Sequence, residues 1–204
     1  MGQSPDLTGV AISNSPASTH GSGPPSDWVM RWTHLVAPGA DVLDVACGHG
    51  RHSRWFAERG HAVVALDRDT DALTATAAAH ARITPLEADI EAGPWPLPGR
   101  RFGAVVITNY LWRPLTSTLI DSVAPGGVFI HETFAAGHEQ VGRPRRPEFL
   151  LRRGELIDMC AGMLRIVSYE DGYVHSPERF IQRVVAVRED SRDEEPAKRW
   201  PLSS

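Results

Sequence analysis

The chain has 204 residues, a length suited to one domain built on one core. Hydrophobic residues make up 42% and charged residues 23%, and no apolar run approaches the roughly 20 residues that cross a bilayer, so a soluble protein with no membrane partner is expected. The net charge of −4 argues against general attraction to nucleic acid, and 20 Arg against the single Lys198 reads as the codon bias of a GC-rich genome.

Residues 1–26 contain 14 Ser, Gly or Pro and are expected to form a flexible leader. No Lys or Arg precedes Arg31 and no apolar segment follows the start, which excludes a secretory signal. The spacing of Trp28, Trp32 and Leu35 predicts a helix over 27–36. A short β-rich run, 41–46, ends in Cys47-Gly48-His49-Gly50, and a helix over 51–59 stops at Gly60. The second strand, 62–66, is closed by Asp67. An Ala-rich helix covers 70–81, capped by Asp69 or Thr70. Strands follow at 83–88 and 102–108, then a helix at 116–123 closed by Pro125-Gly126-Gly127, and a fifth strand at 128–133. A helix at 155–161 and strands at 164–169 and 180–187 complete the folded part, 27–188; the charged stretch 189–204 reads as a frayed tail. Strands alternating with helices imply an α/β fold: a Rossmann-like, doubly wound, seven-stranded and mostly parallel sheet with helices on both faces. The last two strands, around the turn-rich EDGYVHSPE, form an antiparallel edge hairpin. Cys47 and Cys160 lack C-x-x-C context and suit a reducing compartment, the cytoplasm, with no metal site.

Open α/β sheets bind ligands at the carboxyl ends of their strands, and the richest such end is Val42-Leu43-Asp44-Val45-Ala46-Cys47-Gly48-His49-Gly50. A glycine turn lets a ligand approach the backbone. Ser53 stands where a dinucleotide fingerprint carries its third glycine. Asp44, inside the strand end, suits an ammonium group and repels a pyrophosphate. Asp67 is placed to accept from two ribose hydroxyls, although an NAD ribose would satisfy it too. Asp89 is placed to accept from an adenine amino group, with Ile90 packing on the ring and offering its N–H. His49 and His52 have no third ligand and are read as loop and helix-surface residues.

VLDVACGHGRHS, VVALDRD, EADI, FGAVVITNYL and APGGVFIHETF together resemble the ordered motifs of class I S-adenosylmethionine-dependent methyltransferases, over about Val42 to Phe134. The family's usual first loop glycine is Ala46 here. Ala46, Cys47, Gly48, Gly50, Arg68 and Asn109 join Asp44, Asp67, Asp89 and Ile90 as the candidate S-adenosyl-L-methionine-binding set. The short chain and the RHSRWFAERG helix are similar to the small bacterial branch with tellurite-resistance and thiopurine methyltransferases.

Methyl transfer from a sulfonium needs mainly alignment, and a base only where the acceptor must lose a proton. Asn109-Tyr110-Leu111 lacks the Asn/Asp-Pro-Pro-Tyr pattern for a flipped nucleobase. Tyr110, whose ring face attracts a sulfonium, and Glu132, a carboxylate in an apolar strand, are the catalytic candidates. His131 points to the face opposite Glu132, so only one of the two faces the acceptor, and Glu132 is favoured. The Gly- and Pro-punctuated segment 137–150 is read as a lid over the acceptor, with Arg113, Arg143, Arg145 and Arg146 as substrate-binding residues. With Arg152 and Arg153 the cluster also suits RNA phosphates, but no interleaved aromatics accompany it. A small anionic or soft acceptor is therefore expected. An RNA or protein methyltransferase and a non-catalytic S-adenosylmethionine-binding regulator remain as alternatives, and oligomeric state is left open.

Overall fold

A computed structural model describes residues 23–190 and 199–202. In chain order the elements are α1 (Asp27–Trp32), β1 (Val42–Val45), α2 (Arg51–Ala57), β2 (Val63–Asp67), α3 (Thr70–Ala79), β3 (Ile83–Glu87), β4 (Phe102–Thr108), α4 (Thr116–Asp121), β5 (Val123–Phe134), α5 (Glu155–Cys160), β6 (Arg165–His175) and β7 (Glu178–Val187). One seven-stranded sheet runs in the order β3-β2-β1-β4-β5-β7-β6, parallel from β3 to β5 and antiparallel at β7 and β6. The strand order reverses between β1 and β4, which opens a crevice at their carboxyl ends.

The central strands read as unbroken apolar runs because both faces are covered. Leu43, Val45, Val105, Ile107 and Phe129 belong to the core on one face; Val42, Val106, Val128 and Ile130 join Trp28, Trp32 and Phe56 on the other. Asp44 and Glu132 occupy positions on this second face, whereas His131 lies with Phe129 on the first. Among the described residues no helix is long and apolar enough to cross a membrane.

Three expectations shift. The EDGYVHSPE stretch is mostly strand: β6 and β7 pair as far as His175 opposite Glu178, leaving only Ser176 and Pro177 to turn. Cross-strand packing of Tyr173 on Phe180, with ring centroids 4.9 Å apart, holds what turn-forming residue types alone do not. The expected leader 1–26 lies outside the described residues as far as 22, and its last residues are docked: Ser26 caps α1 by accepting from the Trp28 N–H at 3.2 Å. Of the expected tail, Glu189 pairs with Arg165, Trp200 packs on the Trp28–Trp32 core, and the Pro201 carbonyl meets His34 Nε2 at 3.0 Å; 191–198 and 203–204 lie outside the described residues.

Candidate active site

The chain leaves β1 through three left-handed residues, Ala46 (φ 53°), Gly48 (φ 52°) and Gly50 (φ 68°). At Gly50 a Cβ would stand 2.2 Å from Thr76 Cγ2, so α2 can start here only on a glycine. The turn is tied down by the Cys47 N–H donating to the Leu66 carbonyl at 3.0 Å and the Gly48 N–H donating to Asp67 Oδ2 at 2.7 Å. Asp67 Oδ1 accepts from the Asp69 N–H at 3.0 Å. A carboxylate has about four acceptor positions, so this half-buried group keeps about two for a ligand.

Asp44 is put to a different use from direct contact with an ammonium. It is 1% exposed, lies beneath the turn, lines none of the cavities described below, and accepts from Ser53 Oγ at 2.6 Å. Burial raises its pKa to about 6, partly opposed by the Ser53 hydrogen bond. The residue in place of a third fingerprint glycine thus braces the loop from below. At the end of β3, Asp89 Oδ1 accepts from the Glu91 and Ala92 N–H groups at 3.0 and 3.1 Å, while Ile90 is buried behind it.

Two small cavities share Ala46 and Tyr110 as walls. One, of about 140 Å³, is lined by Asp67, Arg68, Asp89 and Ile90 as well. The other, of about 180 Å³, adds Gly48, Arg51, Thr108 and Asn109. A third, of about 430 Å³, is lined by Tyr110, Leu111, Thr133, Phe134, Pro144 and Phe149, with Arg68, Glu91, Asn109 and Arg143 also in its wall. Tyr110 is common to all three, its hydroxyl is buried without a hydrogen-bond partner, and burial with the charge of Glu91 holds the phenol well above its usual pKa. A buried orphan donor in a cavity wall is a group left for a ligand. Asn109 takes the left-handed conformation (φ 54°) that brings the chain round after β4, a position Asn tolerates well.

The donors present fit the cofactor that the motifs imply. The first cavity offers an apolar floor and two acids for a base and its ribose, and the second offers a glycine turn and a cation for an amino-acid moiety.

The acceptor side needs two corrections. Glu132 is 2% exposed and lines no cavity: Oε1 accepts from Ser26 Oγ at 2.9 Å and Oε2 from Arg183 Nη1 at 3.3 Å. It joins Ser26 at the start of α1 to Arg183 on β7, and its burial away from the cavities keeps it from an acceptor. His131 turns to the Tyr110 carbonyl, and the residues of β5 that reach the large cavity are Thr133 and Phe134. Arg113 likewise spends its guanidinium on the protein. It holds both oxygens of buried Glu155, at 2.6 and 2.9 Å, and donates to the carbonyls of Glu148 and Leu150. With those donors occupied it is a clamp on the 137–150 segment. Within that segment Arg143 reaches the cavity; Arg145 and Arg146 are exposed and line none of the three cavities. His138, stacked on Phe134 at 4.2 Å, donates from Nε2 to the Arg143 carbonyl of its own loop at 2.9 Å.

Arg51, Thr108, Thr133, Phe134 and Phe149 line these cavities without being among the candidate residues. A basic residue directly after a glycine turn is a legible signal for Arg51, and Thr108, Thr133 and Phe134 stand at strand ends inside the quoted motifs; nothing in the local sequence marks Phe149.

Residues 42–127 match the family of the methyltransferase domain. Malonyl-[acyl-carrier protein] O-methyltransferase of Serratia marcescens is 35% identical over 152 residues, which are 66% of this chain and 60% of that protein. The chain thus spans about three fifths of the curated relative it matches. TehB from Haemophilus influenzae superposes with a TM-score of 0.63 at 18% identity, covering 78% of this chain and 60% of that one. The glycopeptide N-methyltransferase MtfA, complexed with S-adenosyl-L-homocysteine, gives 0.54 at 19% identity over 76% and 86%. These structural likenesses show a shared fold.

Proposed function

We propose that this chain, whose residues 42–127 form a class I S-adenosylmethionine-dependent methyltransferase domain, transfers a methyl group from S-adenosylmethionine to a small-molecule acceptor. The observation that carries the reading is the meeting of three cavities at Tyr110, two sized for parts of a nucleoside-amino-acid cofactor and one beside them of about 430 Å³. That volume falls within the roughly 300–1,000 Å³ of small-ligand sites. When bound, the cofactor supplies a methyl group already activated on sulfonium. The chain's task is then alignment. Asp67 and Asp89 hold the nucleoside, the 46–50 turn admits the amino-acid portion, and Tyr110 forms the partition between cofactor and acceptor.

The cavity wall carries a single carboxylate, Glu91, and the phenol of Tyr110 stays protonated at neutral pH. This supports an acceptor whose nucleophilic atom is unprotonated without help, a soft or anionic group, with Arg143 or Arg68 as its counter-charge. Leu111, Phe134, Pro144 and Phe149 suit an apolar body, and two buried free cysteines are in keeping with work in the cytoplasm.

Calorimetric titration with S-adenosylhomocysteine tests the cofactor, with NAD as the negative control. Methyl transfer is then assayed on thiolate, carboxylate, RNA and carrier-protein acceptors. Turnover of the small anions supports the reading; turnover of RNA or carrier protein alone replaces it with a macromolecular acceptor.

A further inference from the structure

Arg51, in the wall of the cofactor cavity of about 180 Å³, and Arg179 on β7 both lack a carboxylate within ion-pair distance among the described residues. Arg51 opens α2 immediately after the 46–50 turn and is the one charged residue in the wall of the cavity of about 180 Å³. Its one recorded hydrogen bond is Nη1 to the Pro24 carbonyl at 3.4 Å. Arg179 comes from the far end of the chain. On β7, Arg183 stands opposite Glu132 and bonds to it; strand alternation carries the same face through Ile181 to Arg179, two steps toward the turn and beyond the last residue of β5. The Arg179 Nε is buried and has no partner. Burial, and to a lesser degree the positive charge of Arg179, lower the Arg51 pKa against the pull of Glu132 and Asp44, so the two guanidinium groups stand near enough to repel each other. Two like charges brought together from opposite ends of the sequence, one of them with an orphan buried donor, form a site for an anion.

The segment before α1 is fastened to the same place. Ser26 donates its N–H to His52 Nε2 at 3.1 Å and its hydroxyl to Glu132, and the other nitrogen of His52 meets Thr108, which lines the cavity, at 3.4 Å. We propose that Arg51 and Arg179 together hold the α-carboxylate of the cofactor's amino-acid portion, with Pro24–Ser26 keeping Arg51 turned toward it. The proposal rests on the cofactor assignment above and adds a residue of the C-terminal hairpin to cofactor recognition.

Calorimetry on the full chain with two probes tests it: S-adenosylhomocysteine, and 5′-methylthioadenosine, which keeps the nucleoside and thioether but has no carboxylate. Arg51→Gln and Arg179→Gln are each expected to weaken S-adenosylhomocysteine about tenfold or more while leaving 5′-methylthioadenosine within about twofold. Equal losses on both probes indicate a folding defect and overturn the clamp, as does unchanged binding of both by Arg179→Gln. A wild-type protein that binds both probes equally well sinks the clamp alone. One that binds neither sinks the cofactor reading itself.

Discussion

Ala46 carries a side chain through a conformation that glycine adopts freely. A non-glycine residue at φ 53° costs roughly 1–2 kcal/mol, part of which a glycine would return as unfolded-chain entropy. Ala46→Gly is therefore expected to stabilise the protein by up to about 1 kcal/mol, a rise of roughly 2–4 °C in Tm without ligand. A lower Tm would mean that the methyl group contributes packing that outweighs the strain. Gly50→Ala should do the reverse, by at least about 2 kcal/mol, because its Cβ meets Thr76 Cγ2 as well as the left-handed backbone. For Asp67→Ala the expected loss is about 30- to 1000-fold in S-adenosylhomocysteine affinity, since it removes the proposed ribose acceptor and the partner of the Gly48 N–H together. Affinity equal to wild type in a folded Asp67→Ala protein refutes that assignment. The place of Asp67 and Asp89 in a cavity wall is legible in the sequence because a position just past a strand end opens on the crevice, whereas Asp44, inside its strand, is buried beneath the turn. Glu132 was misread because residue type and strand parity say which face a group occupies, not what stands across from it. Ser26, 106 residues away, and Arg183 occupy that space.

At the scale of elements, the alternation of apolar runs and helical spacing predicts the sheet and its antiparallel edge, because each run must be buried on two faces. The 137–150 segment was legible as something long and structured, but its anchorage was not. Arg113 leaves the end of β4 and clasps Glu155 at the start of α5, 42 residues on, picking up the Glu148 and Leu150 carbonyls on the way. This fastens Phe149 into the cavity wall opposite Leu111. Arg113 and the Arg152 N–H, offsetting the burial of Glu155, hold its pKa at about 2. Glu155→Gln leaves Arg113 without its counter-charge and should destabilise the fold by about 2–4 kcal/mol in denaturant titration. Affinity for S-adenosylhomocysteine should stay within about 1 kcal/mol, because Glu155 bonds to Arg113 and Arg152 and to none of the proposed cofactor groups, Asp67, Asp89, Arg51 and Arg179. Loss of cofactor affinity as large as the loss of stability would show that the clamp supports the whole crevice and not the acceptor wall alone.

Across the whole molecule, buried titratable groups set how the fold responds to acid. His52 and His131 are 1% and 4% exposed, and burial lowers their pKa values to about 3 and about 4. In the unfolded chain both bind a proton near pH 6.5, so native stability is complete above that value and falls as the pH drops below it. By pH 4.5 each has cost about 3 kcal/mol, at about 1.4 kcal/mol per pH unit. Asp44 acts in the opposite sense. Its folded pKa of about 6 lies above its unfolded value, so the native state takes up the proton first, and by pH 4.5 this returns about 2 kcal/mol. Glu155, depressed to about 2, keeps its contribution throughout this range and loses it only below about pH 4.5. The net expectation is a loss of roughly 3–4 kcal/mol between pH 7 and pH 4.5, a large share of an ordinary domain's stability. Urea titrations at the two values measure it directly. Protonation of His52 also removes the acceptor for the Ser26 N–H, so the segment before α1 should open to proteolysis on the same acid limb. Equal or greater stability at pH 4.5 would contradict neutral, buried histidines, and with them the tie from His52 to Ser26 at the cofactor's amino-acid end.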